Sequence, residues 1–118
     1  MTKLTQDKLN EKLARTTKPN LSNADLTATS LKGVSLVKAN LFKATLTGMD
    51  LRDTDLAGAY LYKADLSHAN LQGVNLAGAN LTGADLSGAN LLQANIEGII
   101  SKGVNLKGAT MPDGTIHE

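Results

Sequence analysis

The 118-residue chain has no cysteine and no tryptophan. The first absence excludes disulfides and thiolate metal sites and leaves the redox compartment unreadable. Phe42, Tyr60 and Tyr62 are its only aromatic residues. A core built on rings is therefore excluded, and apolar burial falls to Leu and Ala. No apolar run approaches the ~18 residues of a transmembrane helix, so a membrane is not an expected partner. The net charge of +1 implies neither a polyanionic nor a strongly basic partner from overall charge. The opening MTKLTQDKLNEKLARTT is too charged for a secretory leader. The expected compartment is the cytoplasm, with the periplasm or thylakoid lumen the alternative if a targeting segment has been removed.

What the chain has instead is a period of five. Every fifth residue from Leu21 is apolar through Ile96, and the frame continues as Ser101, Leu106, Met111 and Ile116. Two places before each of these centres stands Ala or Val in most units, and one place before stands mostly Asn, Asp, Ser or Thr. A helix turns by ~100° per residue, so five steps give no apolar stripe. An odd period throws successive leucines to opposite faces of a flat strand. The pattern fits a chain that turns a corner every five residues, with centre and companion pointing in. Four such sides close a square coil of twenty residues. Leu41, Leu61, Leu66, Leu71, Leu76, Leu81 and Leu86 are then core. Each buried leucine is worth about 1.5–3 kcal/mol before entropy.

Ten of the eleven glycines lie two places after a centre, the third position of a turn, where type II geometry requires positive φ. Lys38, Lys43, Lys63, His68 and Gln93 share that slot and are expected to take another turn type. Units such as ADLSG, ANLTG and ANLQG resemble the pentapeptide-repeat family over roughly residues 19–118. The resemblance implies a right-handed quadrilateral β-helix. The expected fold class is all-β, a parallel β-helical solenoid of about five coils, roughly 24 Å long at ~4.8 Å per coil. The ending, TMPDG, is similar to that of small members from cyanobacteria and chloroplasts.

Residues 1–18 are expected to cap the helix and 19–118 to form it. Over residues 5–15 the cap reads as an amphipathic helix with Thr5 as N-cap and Leu9 and Leu13 one turn apart. Pro19 marks the switch to the coils. At the other end Met111 and Ile116 stay in frame, so the tail either closes the last coil or leaves an edge for a second molecule. Ser101 breaks the centre column, and a local bulge is expected to let Ile100 refill the interior.

Positions twenty apart stack, which turns the sequence into a surface map. Phe42, Lys43, Tyr60, Tyr62 and Lys63 then share one side. They form either a stabilising aromatic ladder or a partner surface. Thr27, Thr47, Ser67 and Ser87 form a hydroxyl ladder, and Asp65 adjoins Asp85. These two carboxylates read as turn residues bonded to nearby amides rather than as an acid–base pair. Lys32 and Arg52 stack on a third side. Residues 1–63 carry a net charge of +4 and residues 64–118 of −3, a modest dipole that reads as ordinary surface drift, with steering of end-to-end association the alternative.

His68 and His117 lack ligand-spaced neighbours, no phosphate loop precedes a helix, and the serines have no His–acid set. A rod filled by its own side chains is expected to hold no interior pocket. The chain reads as a non-catalytic interaction module with no cofactor or metal. Its expected partner is an unidentified protein, and it is a monomer or an end-to-end homodimer. The resemblance also raises DNA mimicry toward a type II topoisomerase such as gyrase. The charge, the size and the lack of a loop insertion depart from that pattern. Direct nucleic-acid binding through Lys32, Arg52, Lys43, Lys63 and the aromatics is a further alternative, and the charge is low for it.

Overall fold

A computed structural model describes residues 2–118; Met1, the first residue of the expected cap, lies outside the described residues. The molecule measures 39 × 23 × 23 Å along its principal axes. Parallel bridges join residues twenty apart in four columns. The first runs Asn20, Asn40, Tyr60, Asn80, Ile100, and the second Asp25, Thr45, Asp65, Asp85, Asn105. The third joins Asp50, Asn70, Asn90 and Thr110, and the fourth pairs Ser35 with Asp55 and Asn75 with Asn95. We call these walls one to four. A five-residue side that spends most of its length turning leaves one residue to pair, so the walls are ladders of single bridges rather than strands.

Inside the walls Leu41, Leu61, Leu66, Leu71, Leu76, Leu81 and Leu86 are fully buried, with small companions such as Ala39, Ala59 and Ala79. The backbone bonds run along the axis. From Leu36 to Leu91 the N–H of the centre donates to the carbonyl nineteen residues on, as from Leu71 to Asn90 at 2.8 Å. The N–H before the centre donates back to the preceding coil, as from Asn70 to Met49 at 2.9 Å. The Asn or Asp side chain at that same place accepts from the N–H two residues later, as Asn70 does from Gln72 at 3.1 Å. This local bond explains the polar residue beside each centre: it satisfies the amide that turns outward at the corner.

The corner slot corrects the expected division of turns. Lys38, Lys43, Lys63, His68 and Gln93 have φ between +55° and +62°, the same left-handed conformation as the glycines. The reason is axial bonding. In this conformation the slot N–H points at the next coil, so that Lys63 donates to Thr82 O and His68 to Ser87 O, each at 2.9 Å. That bond offsets a left-handed strain of ~1–2 kcal/mol per non-glycine residue. Ala28 and Asp53 are outside the positive-φ set. There the following threonine acts instead: Thr29 Oγ1 donates to Leu26 O at 2.7 Å, and the buried Thr54 Oγ1 to Leu31 O at 2.9 Å.

His68 lies flat over Gly88 of the next coil, where a Cβ would stand 2.5 Å from His68 Nδ1, whereas Gly78 has open space beside it. Gly78→Ala is expected to cost about 1 kcal/mol through φ alone. Gly88→Ala is expected to cost about 2–3 kcal/mol, since it adds a displaced imidazole to the same strain. Urea midpoints check this: His68→Ala should return the Gly88→Ala penalty to the Gly78 value.

The N-terminal end is closed by a strand as well as a helix. β1 (Thr2–Lys3) pairs in parallel with β2 (Ala24–Asp25), and Leu4 N–H donates to Asp25 O at 2.9 Å. α1 (Gln6–Arg15) follows, with Thr5 Oγ1 accepting from Lys8 N–H at 3.2 Å. It lays Leu9, fully buried, over the first coil, and Leu13 packs against the same core. Gln6 completes the closure: its Oε1 accepts from Ser30 N–H at 2.7 Å, so a side-chain amide replaces the missing coil.

The C-terminal end departs from the expected frame. Ile116 leaves the aliphatic column and pairs antiparallel with Thr110, 59% exposed. His117 bonds both Ala109 O and Gly108 N–H at 2.8 Å, so the tail folds back along one wall only. The hairpin is held by Met111 N–H donating to Thr115 O at 2.7 Å and Thr115 N–H donating to Asp113 Oδ1 at 3.0 Å. Ile100 does not refill the interior. It points outward, 52% exposed, because it occupies the outward place before a centre, while Ile99 takes the companion place against the core. A recess of about 180 Å³, lined by Leu81, Leu86, Ile96, Ile99 and Ser101 among others, opens where a leucine would stand at 101. The expectation of a pocket-free interior fails at this end, since serine leaves the column short.

Candidate interaction surface

Wall one gathers the aromatics. Tyr60 stands in its outward column, and Phe42 and Tyr62 at the corner beside it. Phe42 and Tyr62 have centroids 5.7 Å apart, and Tyr60 and Tyr62 are 6.0 Å apart with planes at 8°. Lys43 Nζ sits 5.3 Å from the Phe42 centroid and Lys63 Nζ 5.4 Å from that of Tyr62. The twenty-residue register sets Phe42 against Tyr62 and Lys43 against Lys63 one coil apart, with Tyr60 on the same coil as Tyr62, and near-parallel packing with cation–π contacts is what that spacing allows. Phe42 and Tyr62 are half-buried and Tyr60 is 41% exposed.

The opposite feature is a polar recess on wall three lined by Ser30, Lys32, Asp50, Arg52 and Asp53. Arg52 grips Asp50 through Nε at 2.9 Å and Nη2 at 2.8 Å. This ion pair holds the Asp50 carboxyl down at about 2 and neutralises the guanidinium, so Lys32 and Arg52 do not form an open basic patch. Asp65 and Asp85 each accept from a serine N–H and its hydroxyl, Ser67 and Ser87, with Oγ–Oδ1 distances of 2.6 Å. Burial pushes the Asp65 carboxyl up, but bonds from Ser67 and Thr47 outweigh it and leave it below the usual range. Carboxylates held low are ionised acceptors, not proton donors poised for chemistry. Among the described residues no cluster of His, Asp and Glu could hold a metal ion, and no helix is long and apolar enough to cross a membrane.

Asp25 and Asp113 are also held low by their threonine hydroxyls. A carboxyl depressed in the folded state stabilises fully above its unfolded value and loses that contribution as pH falls through the folded one. The urea midpoint is therefore expected to stay level from neutral pH to near 5 and to fall between about 4 and about 2. Asp65→Asn should make that fall shallower.

Sequence reasoning placed Lys38 in a corner slot without assigning it to the aromatic side, and passed over Gln6 and the two threonine-locked corners. Lys38 was readable, because rows of twenty residues put it at the far edge of wall one. Gln6 was not, since its partner is fixed only by how α1 docks.

A model of the pentapeptide repeats, in eight copies, matches residues 20–58 and 59–98. The chain belongs to the pentapeptide-repeat family. Solved structures place it among particular relatives. HetL, a pentapeptide-repeat protein involved in heterocyst differentiation regulation in the cyanobacterium Nostoc sp. PCC 7120, is 36% identical over 83% of this chain and 57% of its own, with a TM-score of 0.46. Rfr23 of the cyanobacterium Cyanothece 51142 is 34% identical over 88% of this chain and 68% of its own, with a TM-score of 0.51. A pentapeptide-repeat protein of the Arabidopsis thaliana thylakoid lumen is 30% identical over 84% and 69%, with a TM-score of 0.41. No curated protein matches the chain. The chain spans little more than half the length of HetL, 57%.

Proposed function

We propose that this protein is a non-catalytic interaction module and that wall one, with Phe42, Lys43, Tyr60, Tyr62 and Lys63, is the surface a partner protein covers. The observation that carries the reading is the gathering of all three aromatic residues into one cluster, with centroids 5.7–6.3 Å apart and Tyr60 left 41% exposed. Exposed aromatic clusters are the common anchors of protein interfaces. The same reading takes residues 1–18 as a cap and 19–118 as a right-handed helix of about five coils. Its support is the step of twenty residues between bridges and the family. Gyrase mimicry is disfavoured because it needs an acidic surface, and the ring-bearing wall is basic.

The test is site-specific photocrosslinking in the native cell. A photoreactive residue at Thr82, beside the ring column, should yield a protein adduct that Tyr60→Ser/Tyr62→Ser removes. The same probe at Gln72, on the far side, should not. Equal adducts from both sites, or none from Thr82, would overturn the reading.

A second reading is an end-to-end homodimer through the C-terminal mouth. It is favoured by the exposed Ile100 beside axial N–H groups of Ile96, Ser101 and Leu106 that no described residue bonds. Sedimentation equilibrium decides it: a concentration-dependent dimer should be lost in Ile100→Asp, and a monomer at all concentrations excludes it.

A further inference from the structure

Charge is sorted around the rod as well as along it. Asp25, Asp65 and Asp85 stand on wall two, Asp50 on wall three and Asp55 on wall four. Wall one carries Asn20, Asn40, Tyr60, Asn80 and Ile100 in its outward column and no carboxylate until Glu97 at its far corner. Its two edges carry Lys38 on one side and Lys43 and Lys63 on the other. The ion pairs among the described residues are Lys8–Glu11 and Asp50–Arg52, so none of these three lysines is neutralised. Two of the stems are bedded. Lys38 Cγ lies where a Cβ on Gly58 would be 3.2 Å away, and Lys63 Cγ stands likewise 3.3 Å from one on Gly83. The glycine one coil on gives the stems of Lys38 and Lys63 a flat support, while Lys43 stands beneath Lys63 with its Nζ over the Phe42 ring.

We infer that wall one is a receptor for an acidic protein segment, an extended stretch whose Asp and Glu side chains reach the lysines at its edges and whose apolar side chains lie on the ring edges. This deepens the reading of wall one as an interaction surface and rests on it. The rings support the sign of the partner. Their centroids form a triangle 5.7–6.3 Å on a side, and Phe42 and Tyr62 each carry a lysine ammonium over the ring, so ring edges and tyrosine hydroxyls contribute to the outward surface. Ring edges carry the positive end of the aromatic quadrupole. Neither tyrosine hydroxyl is engaged by another described residue, so both are available as donors. Lysines, ring edges and hydroxyls together make a wall that offers donors and positive charge. A single-stranded nucleic acid would also bring negative charge, but its bases need open ring faces to stack on, and Phe42 and Tyr62 are half-buried with a lysine ammonium over each ring.

The experiment titrates the full chain into fluorescein-labelled peptides that alternate leucine with glutamate, glutamine or lysine, and into a labelled oligothymidylate, reading anisotropy. The glutamate peptide is expected to bind, more weakly as salt rises, and Lys43→Glu/Lys63→Glu to weaken it about tenfold or more. Both positions are exposed and keep their backbone conformation in the variant, which circular dichroism checks. If glutamine and glutamate peptides bind alike and only Tyr60→Ser/Tyr62→Ser weakens them, the acidic partner is overturned while the interaction surface stands. Binding of the oligothymidylate in preference to the peptides overturns the inference in favour of nucleic acid. Binding of none of the probes overturns it outright, and the crosslinking contrast between Thr82 and Gln72 then judges the broader reading separately.

Discussion

Leu71→Ala is expected to destabilise the protein by about 2–5 kcal/mol, toward the upper part of that range. Leu71 is fully buried in the middle of the rod, in the same core cluster as Leu51 and Leu91, the centres twenty residues before and after. The cost of such a truncation depends on whether neighbours move in to fill the space. Here they are held apart. Leu71 N–H is tied to Asn90 O at 2.8 Å, Asn70 N–H to Met49 O at 2.9 Å and Val74 N–H to Leu71 O at 3.1 Å, so the coil above and below cannot settle without breaking axial bonds. The contrast is Leu106→Ala. Leu106 is half-buried beside the open recess, which already lacks a leucine at 101. Its truncation should cost about half as much or less. Urea unfolding followed by circular dichroism measures both. Equal penalties would mean that the middle of the rod is no better packed than its open end.

The two positions also show what the sequence discloses and what it does not. Leu71 and Leu106 look alike in the repeat, since each is a leucine in frame with a small residue two places before it. The period fixes the wall on which a residue stands, because side-chain direction follows directly from a turn every five residues. The columns of Asn and Asp, the stacked rings and the burial of Leu61 or Leu81 are consequences of that alone. What the period does not carry is anything decided between coils. Lys63 and His68 adopt positive φ because an amide bond to the next coil outweighs the strain, and nothing in their own five residues announces it. Ile116 keeps perfect frame in the sequence, yet the Asp113–Thr115 turn folds it back onto Thr110. The candidate surface divides the same way. The gathering of Phe42, Tyr60 and Tyr62 follows from the register, as does the exclusion of aspartate from their wall. The near-parallel packing of the rings and the lysine ammonium groups over Phe42 and Tyr62, on which the proposed acidic partner rests, depend on side-chain rotamers that only coordinates supply.

Leu9→Ala is the second large effect, at about 2–5 kcal/mol, and its signature should be local. Leu9 is the one fully buried residue of α1, a ten-residue helix too short to hold its shape without docking. Beneath the cap, Leu21, Leu26, Leu31 and Leu36 are exposed by 1% or less. Loosening the helix hands them to water and also withdraws Gln6 from Ser30 N–H and Leu4 N–H from Asp25 O. In a structure whose coils touch only their neighbours, that damage should decay along the axis. Amide hydrogen exchange is therefore expected to speed up at Leu4 and Ser30, and to remain unchanged at Leu71 and Leu76, whose bonds run to Asn90 and Asn95. Equal acceleration at all four would show that the rod unfolds as one cooperative block, and the cap would then be part of the core rather than a cover for its first exposed layer.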